Sequence, residues 1–272
     1  MDLSLWGYEF MRNAVLAGAF GGAACAAVGV LVVTMQLSFL GVAIAHAAFA
    51  GALCATILGA SPFLGSLGFS LAAVAAVGPL ADRGEFGPDT PIGIVFSLTL
   101  GLAFLFMGLL PGPRAEALDL LWGSILTVSR AEVALLAGMA LAVALLVILF
   151  FKEIQAVIFH RELARAVGMP AQAIHYGLLI AVGLVITVSL PSIGGLLVFT
   201  LVLNPAAAAY QLTYSLKRMF LLAAVFGVAS TWAGLLGSSL LRLPSGATIV
   251  LVSTAIFIAA AAFSPKRRVK KR

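Results

Sequence analysis

Apolar positions along this chain gather into long stretches, and short clusters of Gly, Pro and charge separate them. The stretches fall at about 13–34, 38–59, 62–80, 91–110, 130–151, 172–190, 192–213, 218–241 and 246–263. Each is close to the roughly 20 apolar residues that a helix needs to cross a bilayer. The pattern predicts an all-α, polytopic transmembrane bundle of about eight to nine spans. The count is nine if every stretch crosses. The run from Pro191 to Pro205, interrupted by Gly and Pro, is the one best suited to a re-entrant segment instead.

Two connections are longer than a turn requires. Segment 111–129 is amphipathic and falls on the outer side. Segment 152–171 carries its charges at 160–165 and then meets Gly168 and Pro170, which predict the stop of a short helix. Such a helix on the membrane surface suits docking to a soluble partner, and it suits a solvated connector equally well.

Composition turns the pattern into a statement about solvent. Of 272 residues, 62% are hydrophobic and 10% charged, and the mean hydropathy is +1.16. Soluble domains average about 25% charged residues. The bilayer is therefore the expected solvent, with one transmembrane domain over 1–263 and a basic tail at 264–272. Asp2 and Glu9 flank Met11 and Arg12, and the apolar run that follows is long enough to span, so the start does not read as a cleaved signal peptide.

The net charge of +6 is carried largely by that tail, through Lys266, Arg267, Arg268, Lys270, Lys271 and Arg272. It reads as an anchor beside anionic headgroups rather than a nucleic-acid site. Alternating sides back from the tail puts Arg83, Lys152, Arg161, Arg165, Lys217 and Arg218 on its face, and Arg12, Arg114, Arg130 and Arg242 on the other. The first face is then cytoplasmic by the positive-inside rule, the N-terminus is outside if all nine stretches cross, and the C-terminus is cytoplasmic. The expected location is the inner (plasma) membrane of a prokaryote.

Ionisable groups inside a span are costly and mark function. His46 is such a group, about 12 Å into the membrane at 1.5 Å per residue. Its Ala and Gly neighbours allow close helix approach, so it should face protein or a cavity. A neutral imidazole ligates zinc, manganese or iron, though a lone histidine is also a common packing residue. Cys54 lies about 12 Å along the axis and about 80° around it, too far to share one ion. Cys25 and Cys54 read as small apolar packing residues. Asn204 and the carbonyl freed by Pro205 fit either a polar path or a kinked packing helix. His160 and His175 fall near the cytoplasmic segment and read as solvated.

No zinc-protease, serine-hydrolase or Walker A signature occurs in the sequence. A transport subunit is the first reading, not an enzyme. A secondary transporter or channel is the rival, and it would need intramembrane acids that the spans lack. A membrane-embedded hydrolase would need a nucleophile beside His46.

Five motifs in order carry a resemblance. They are Leu37-Ser-Phe-Leu-Gly41 with Ala45-His46-Ala47 and Gly51, then Pro91 to Ser97, then Leu121-Trp-Gly-Ser124 to Ser129, then Phe159-His-Arg-Glu162-Leu-Ala164 to Gly168, and finally Ser189 to Gly194 with Asn204-Pro205-Ala206-Ala207. Over about residues 10–263 the chain resembles the manganese/zinc/iron-chelate permease family of ABC importers. The resemblance implies two permease copies, two cytoplasmic ATPases that bind the ATP, and an external metal-binding protein. It implies no cofactor bound by this chain; a divalent metal would be the cargo, with zinc or manganese foremost. It makes His46 the metal contact near the two-fold axis, and Phe159, Glu162, Ala164 and Gly168 part of the coupling helix that meets the ATPase. Import of a chelated metal or another small substrate stays open within it. Two positions depart from the family pattern: Val42 stands where the family has Asp, and His160 where it has a second Asp. Losing the first removes a hard oxygen ligand that manganese prefers.

Overall fold

The computed structural model describes residues 8–83, 89–110 and 124–266. Among them are ten α-helices: α1 (Glu9–Thr34), α2 (Leu40–Ile57), α3 (Pro62–Arg83), α4 (Asp89–Leu109), α5 (Arg130–Leu149), α6 (Phe151–Ala166), α7 (Ala171–Ile193), α8 (Gly195–Leu212), α9 (Leu216–Leu241) and α10 (Ser245–Ala262). All but α6 are long and apolar enough to cross a membrane, which makes nine spans. The chain is thus a multi-pass membrane protein. Most of the expected outer segment and basic tail, at 111–123 and 267–272, lies outside the described residues; 124–129 forms a short 3-10 turn, Ile125–Thr127, with its flanks.

Small residues decide which helices sit at the centre. In α1 and α2, 67% and 72% of the spanning residues are buried, against 17% in α5. Glycines let the central helices touch backbone to backbone. Gly22 of α1 meets Gly227 of α9, where a Cβ on Gly227 would stand 2.3 Å from the Gly22 oxygen. Gly51 of α2 meets Gly65 of α3 in the same way, 2.2 Å from the facing oxygen in either direction. Ionic and polar ties complete the register. Arg130 pairs with Glu9 where α5 and α1 begin, Thr231 donates to the Gly18 carbonyl at 3.1 Å, and the Trp232 indole donates to that of Val15 at 3.1 Å. At the opposite end Ser264 donates to the Gln211 carbonyl at 2.9 Å, and the Lys266 ammonium lies 3.6 Å from the Tyr210 ring centroid. The outer helices present apolar side chains, such as Leu141 and Leu251, to the surroundings.

Two boundaries differ from expectation. The break between α7 and α8 is at Gly194 rather than Pro191. Pro191 has a helical φ of its own and the helix continues to Ile193, whereas Gly194 has φ 85°, which turns the chain sharply. The connecting segment begins at Phe151, one residue before the expected 152, and its second helical piece stops ahead of Gly168 and Pro170 as expected. Helix α6 begins directly after α5 and bends at His160 (φ −146°, ψ 59°).

Candidate functional site

From Leu40 to Ala55, α2 is buried except at Val42, His46 and Cys54. Val42 and His46 are one helical turn apart and share one open strip. The His46 Nδ1 lies 3.0 Å from the Val42 carbonyl oxygen. A carbonyl only accepts, so Nδ1 carries the proton and donates. In the neutral ring this leaves the Nε2 lone pair unprotonated and turned away from the helix backbone, the tautomer suited to a metal. The Phe96 ring of α4 packs edge-on against the imidazole, at 5.1 Å and 84°. Phe96 belongs to the Pro91–Ser97 motif, but nothing in the one-dimensional pattern links it to a residue fifty positions earlier.

The described residues contain no cluster of three or more His, Cys, Asp and Glu that could hold an ion. His46 therefore offers one strong donor per chain. Cys54 shares the partly exposed side of α2, whereas Cys25 is fully buried and donates to Ser189 Oγ at 3.6 Å. Asn204 is half-buried on α8, and its amide donates to Thr254 Oγ1 of α10 at 3.0 Å. The structure does not join it to His46 by any hydrogen bond.

The second candidate feature is the distal part of α6. It ends in a Schellman motif: Gly168, at φ 84°, donates to the Arg165 carbonyl, and Met169 donates to that of Ala164, each at 3.0 Å. This is the physical role of Gly168. Ala164 is buried against Val157 and Ala171, which seats the helix on the bundle. Phe159, Leu163 and Val167 point outward, 52%, 61% and 76% exposed. Leu163 and Val167, four residues apart after the bend at His160, share one face, and Phe159 lies just before the bend. Leu163 and Val167 are absent from the docking set read off the sequence. Glu162 is exposed at the edge of the face, 3.7 Å from Arg165. His160 is exposed, as expected; His175 is half-buried and packs edge-on to Tyr176.

Nine candidate spans among the described residues, with an imidazole on a buried central helix and an exposed apolar patch at one end, fit a membrane transport component, and similarity to known proteins gives its class as the ABC permeases. Residues 7–264 match the ABC 3 transport family, and the chain belongs to that family. Among curated relatives, the manganese transport system membrane protein MntC of Halalkalibacterium halodurans is 34% identical over 268 residues, covering 98% of this chain and 92% of that protein. The manganese import system permease protein ScaB of Streptococcus gordonii is 31% identical, covering 97% and 95%. Among solved structures, PsaBC from Streptococcus pneumoniae in complex with Fab has a TM-score of 0.86 and 30% identity, covering 98% of this chain and 96% of the matched chain.

Proposed function

We propose that this chain is the membrane permease of an ATP-driven importer of divalent transition metal ions, manganese or zinc. It would work as a homodimer with separate cytoplasmic ATPases and an extracytoplasmic metal-binding protein, and would itself catalyse no reaction. The relatives' names favour manganese. The observation that carries the mechanism is the half-buried His46 ring on a central helix, whose Nδ1 is taken by the Val42 carbonyl so that Nε2 is left for an ion. A passing ion exchanges one water for Nε2 and keeps the rest of its shell from water, carbonyls or the second copy's imidazole. A site of so few strong donors binds weakly and releases quickly, which conduction requires.

In this reading the α6 end and the C-terminus are cytoplasmic. The exposed apolar side chains Phe159, Leu163 and Val167 on either side of the bend rest in a groove of the ATPase, Glu162 borders them, and Ala164 and Gly168 fix the helix that presents Leu163 and Val167. Closure of the ATPases pushes this helix against α5 and α7 and rocks the bundle. Asn204 has a lesser role beside the path, steadied by Thr254.

The test is uptake by vesicles holding the chain with its ATPase and binding protein, offered manganese, zinc, iron and cobalt. ATP-dependent uptake of manganese or zinc is expected, and its absence for every divalent metal would overturn the function. His46→Ala should remove most of the uptake. Wild-type uptake by that variant would overturn the site while leaving the transport class intact.

A further inference from the structure

A crevice of about 880 Å³ lies between α1, α5 and α9, away from the His46 strip. Its floor is made of small residues, Ala24 and Ala27 of α1, Ala144 of α5 and Ala224 of α9, with Phe220 as a wall. At one end the apolar lining gives way to Lys152, Glu153 and Lys217. The Lys217 ammonium stands 5.3 Å from the centroid of the Phe151 ring, a contact that holds it at the mouth. Among the described residues no carboxylate lies within ion-pair distance of either lysine. The flank opens to the surroundings beside Ile148 and Leu149, 72% and 70% exposed.

We propose that this crevice binds one anionic phospholipid, its acyl chain along the alanine floor and its phosphate between Lys152 and Lys217. The volume is within the roughly 300–1,000 Å³ typical of pockets that enclose small ligands. A dry trough of Ala and Val offers a methylene chain contact and offers a polar solute nothing. The lysines stand where α5 ends and α9 begins, at the depth of the headgroups. Two lysines against Glu153 leave one net positive charge for an anion. A second copy of this chain is a poorer occupant. A two-fold axis along the membrane normal would bring both pairs of lysines to one level, where they repel.

Native mass spectrometry of the full chain, delipidated and offered phosphatidylglycerol and phosphatidylcholine of equal chain length, tests this. About a tenfold preference for phosphatidylglycerol is expected. Lys152→Gln with Lys217→Gln should bring the two lipids near parity, and Lys217→Arg should keep the preference. Ala144→Phe, which fills the floor, should lose both lipids at this site. Melting of each variant in detergent checks that it folds, and the lysine variants alone decide the matter should Ala144→Phe fail. Equal retention by the wild type, or a preference that survives the double substitution, overturns the proposal. So does displacement by glycerol 3-phosphate without acyl chains, the sign of a free-phosphate site. Loss of a dimer in the double variant would assign the face to a second copy and overturn it too.

Discussion

Gly65 and Gly68 lie one turn apart on α3, yet a methyl group added to each meets opposite surroundings. A Cβ at Gly65 would stand 2.2 Å from the Gly51 carbonyl oxygen, 2.5 Å from the Ala55 Cβ and 3.0 Å from the Gly51 carbonyl carbon. At Gly68 nothing lies within 4 Å. The obstacles at Gly65 are backbone and Cβ atoms, which no side-chain rotation moves. The two helices must then separate by roughly 1 Å, and overpacking of this kind costs about 1–3 kcal/mol. The gain in helix propensity from Gly to Ala returns up to about 1 kcal/mol, and Gly68→Ala has that gain without the clash.

The separation is not confined to the crossing. Gly51 follows His46 by little more than one turn of α2, and Phe49, Ala50 and Leu53 pack with Phe69 and Phe106. Moving α2 off α3 therefore moves the strip that carries His46 relative to Phe96. Gly65→Ala is expected to melt roughly 2–8 °C below the wild type in detergent, and to lose metal uptake beyond any loss of expression. Gly68→Ala should match the wild type in both or melt slightly higher. Melting by fluorescence on the purified chains, with uptake in vesicles, reads both quantities. If the two variants melted together, the tight crossing of α2 and α3, and the placement of His46 that depends on it, would be wrong.

Four further outcomes are expected. Val42→Asp puts a carboxylate beside the imidazole on one strip, so manganese should compete against zinc uptake several-fold better; unchanged competition would remove Val42 from the path. Phe159→Ser with Leu163→Ser should abolish co-purification of the ATPase while shifting stability by only about 0.5 kcal/mol per site, because both side chains are exposed; retained ATPase would move the docking surface elsewhere. Ser129→Ala breaks the capping box with Glu132 at the start of α5 and should cost about 1 kcal/mol, seen as a lower melting point. A small maleimide should label Cys54 and spare Cys25, read by intact mass; labelling of both would contradict the burial of Cys25 between α1 and α7.

Spans are legible in a sequence like this because a bilayer leaves an apolar stretch of that length few alternatives. The expected 130–151 and the observed Arg130–Leu149 differ by two residues at one end. Boundaries inside continuous apolarity are less legible. Pro191 is the conspicuous residue, but a proline tolerates helical φ, and the chain turns only where Gly194 adopts a positive one. The start of α6 is legible because Lys152 and Glu153 interrupt the apolar run of α5, whereas its bend at His160 has no signal in the local pattern. Asn204 shows what no local pattern contains: its partner, Thr254, is fifty residues away and is set by the packing of α8 on α10.

His46 lies between these cases. Its cost in a membrane singles it out from sequence, and the same cost is met by lipid-averted packing whether or not an ion ever arrives. Burial alone would therefore favour a packing role. What separates the two is direction. A packing histidine satisfies both ring nitrogens within the protein, whereas here the carbonyl of Val42 takes one and, among the described residues, no hydrogen-bond partner reaches the other. A free imidazole nitrogen on a central helix, on a strip that also carries the position one turn earlier, is an unmet demand that a hydrated cation would meet, in the proposed function, at the loss of one water. The Val at that earlier position lowers the demand further, since a carboxylate there would hold a divalent ion against release. Under the proposed function, low affinity and fast passage would then be two consequences of Val42, and selectivity would come from the protein that delivers the ion rather than from the span.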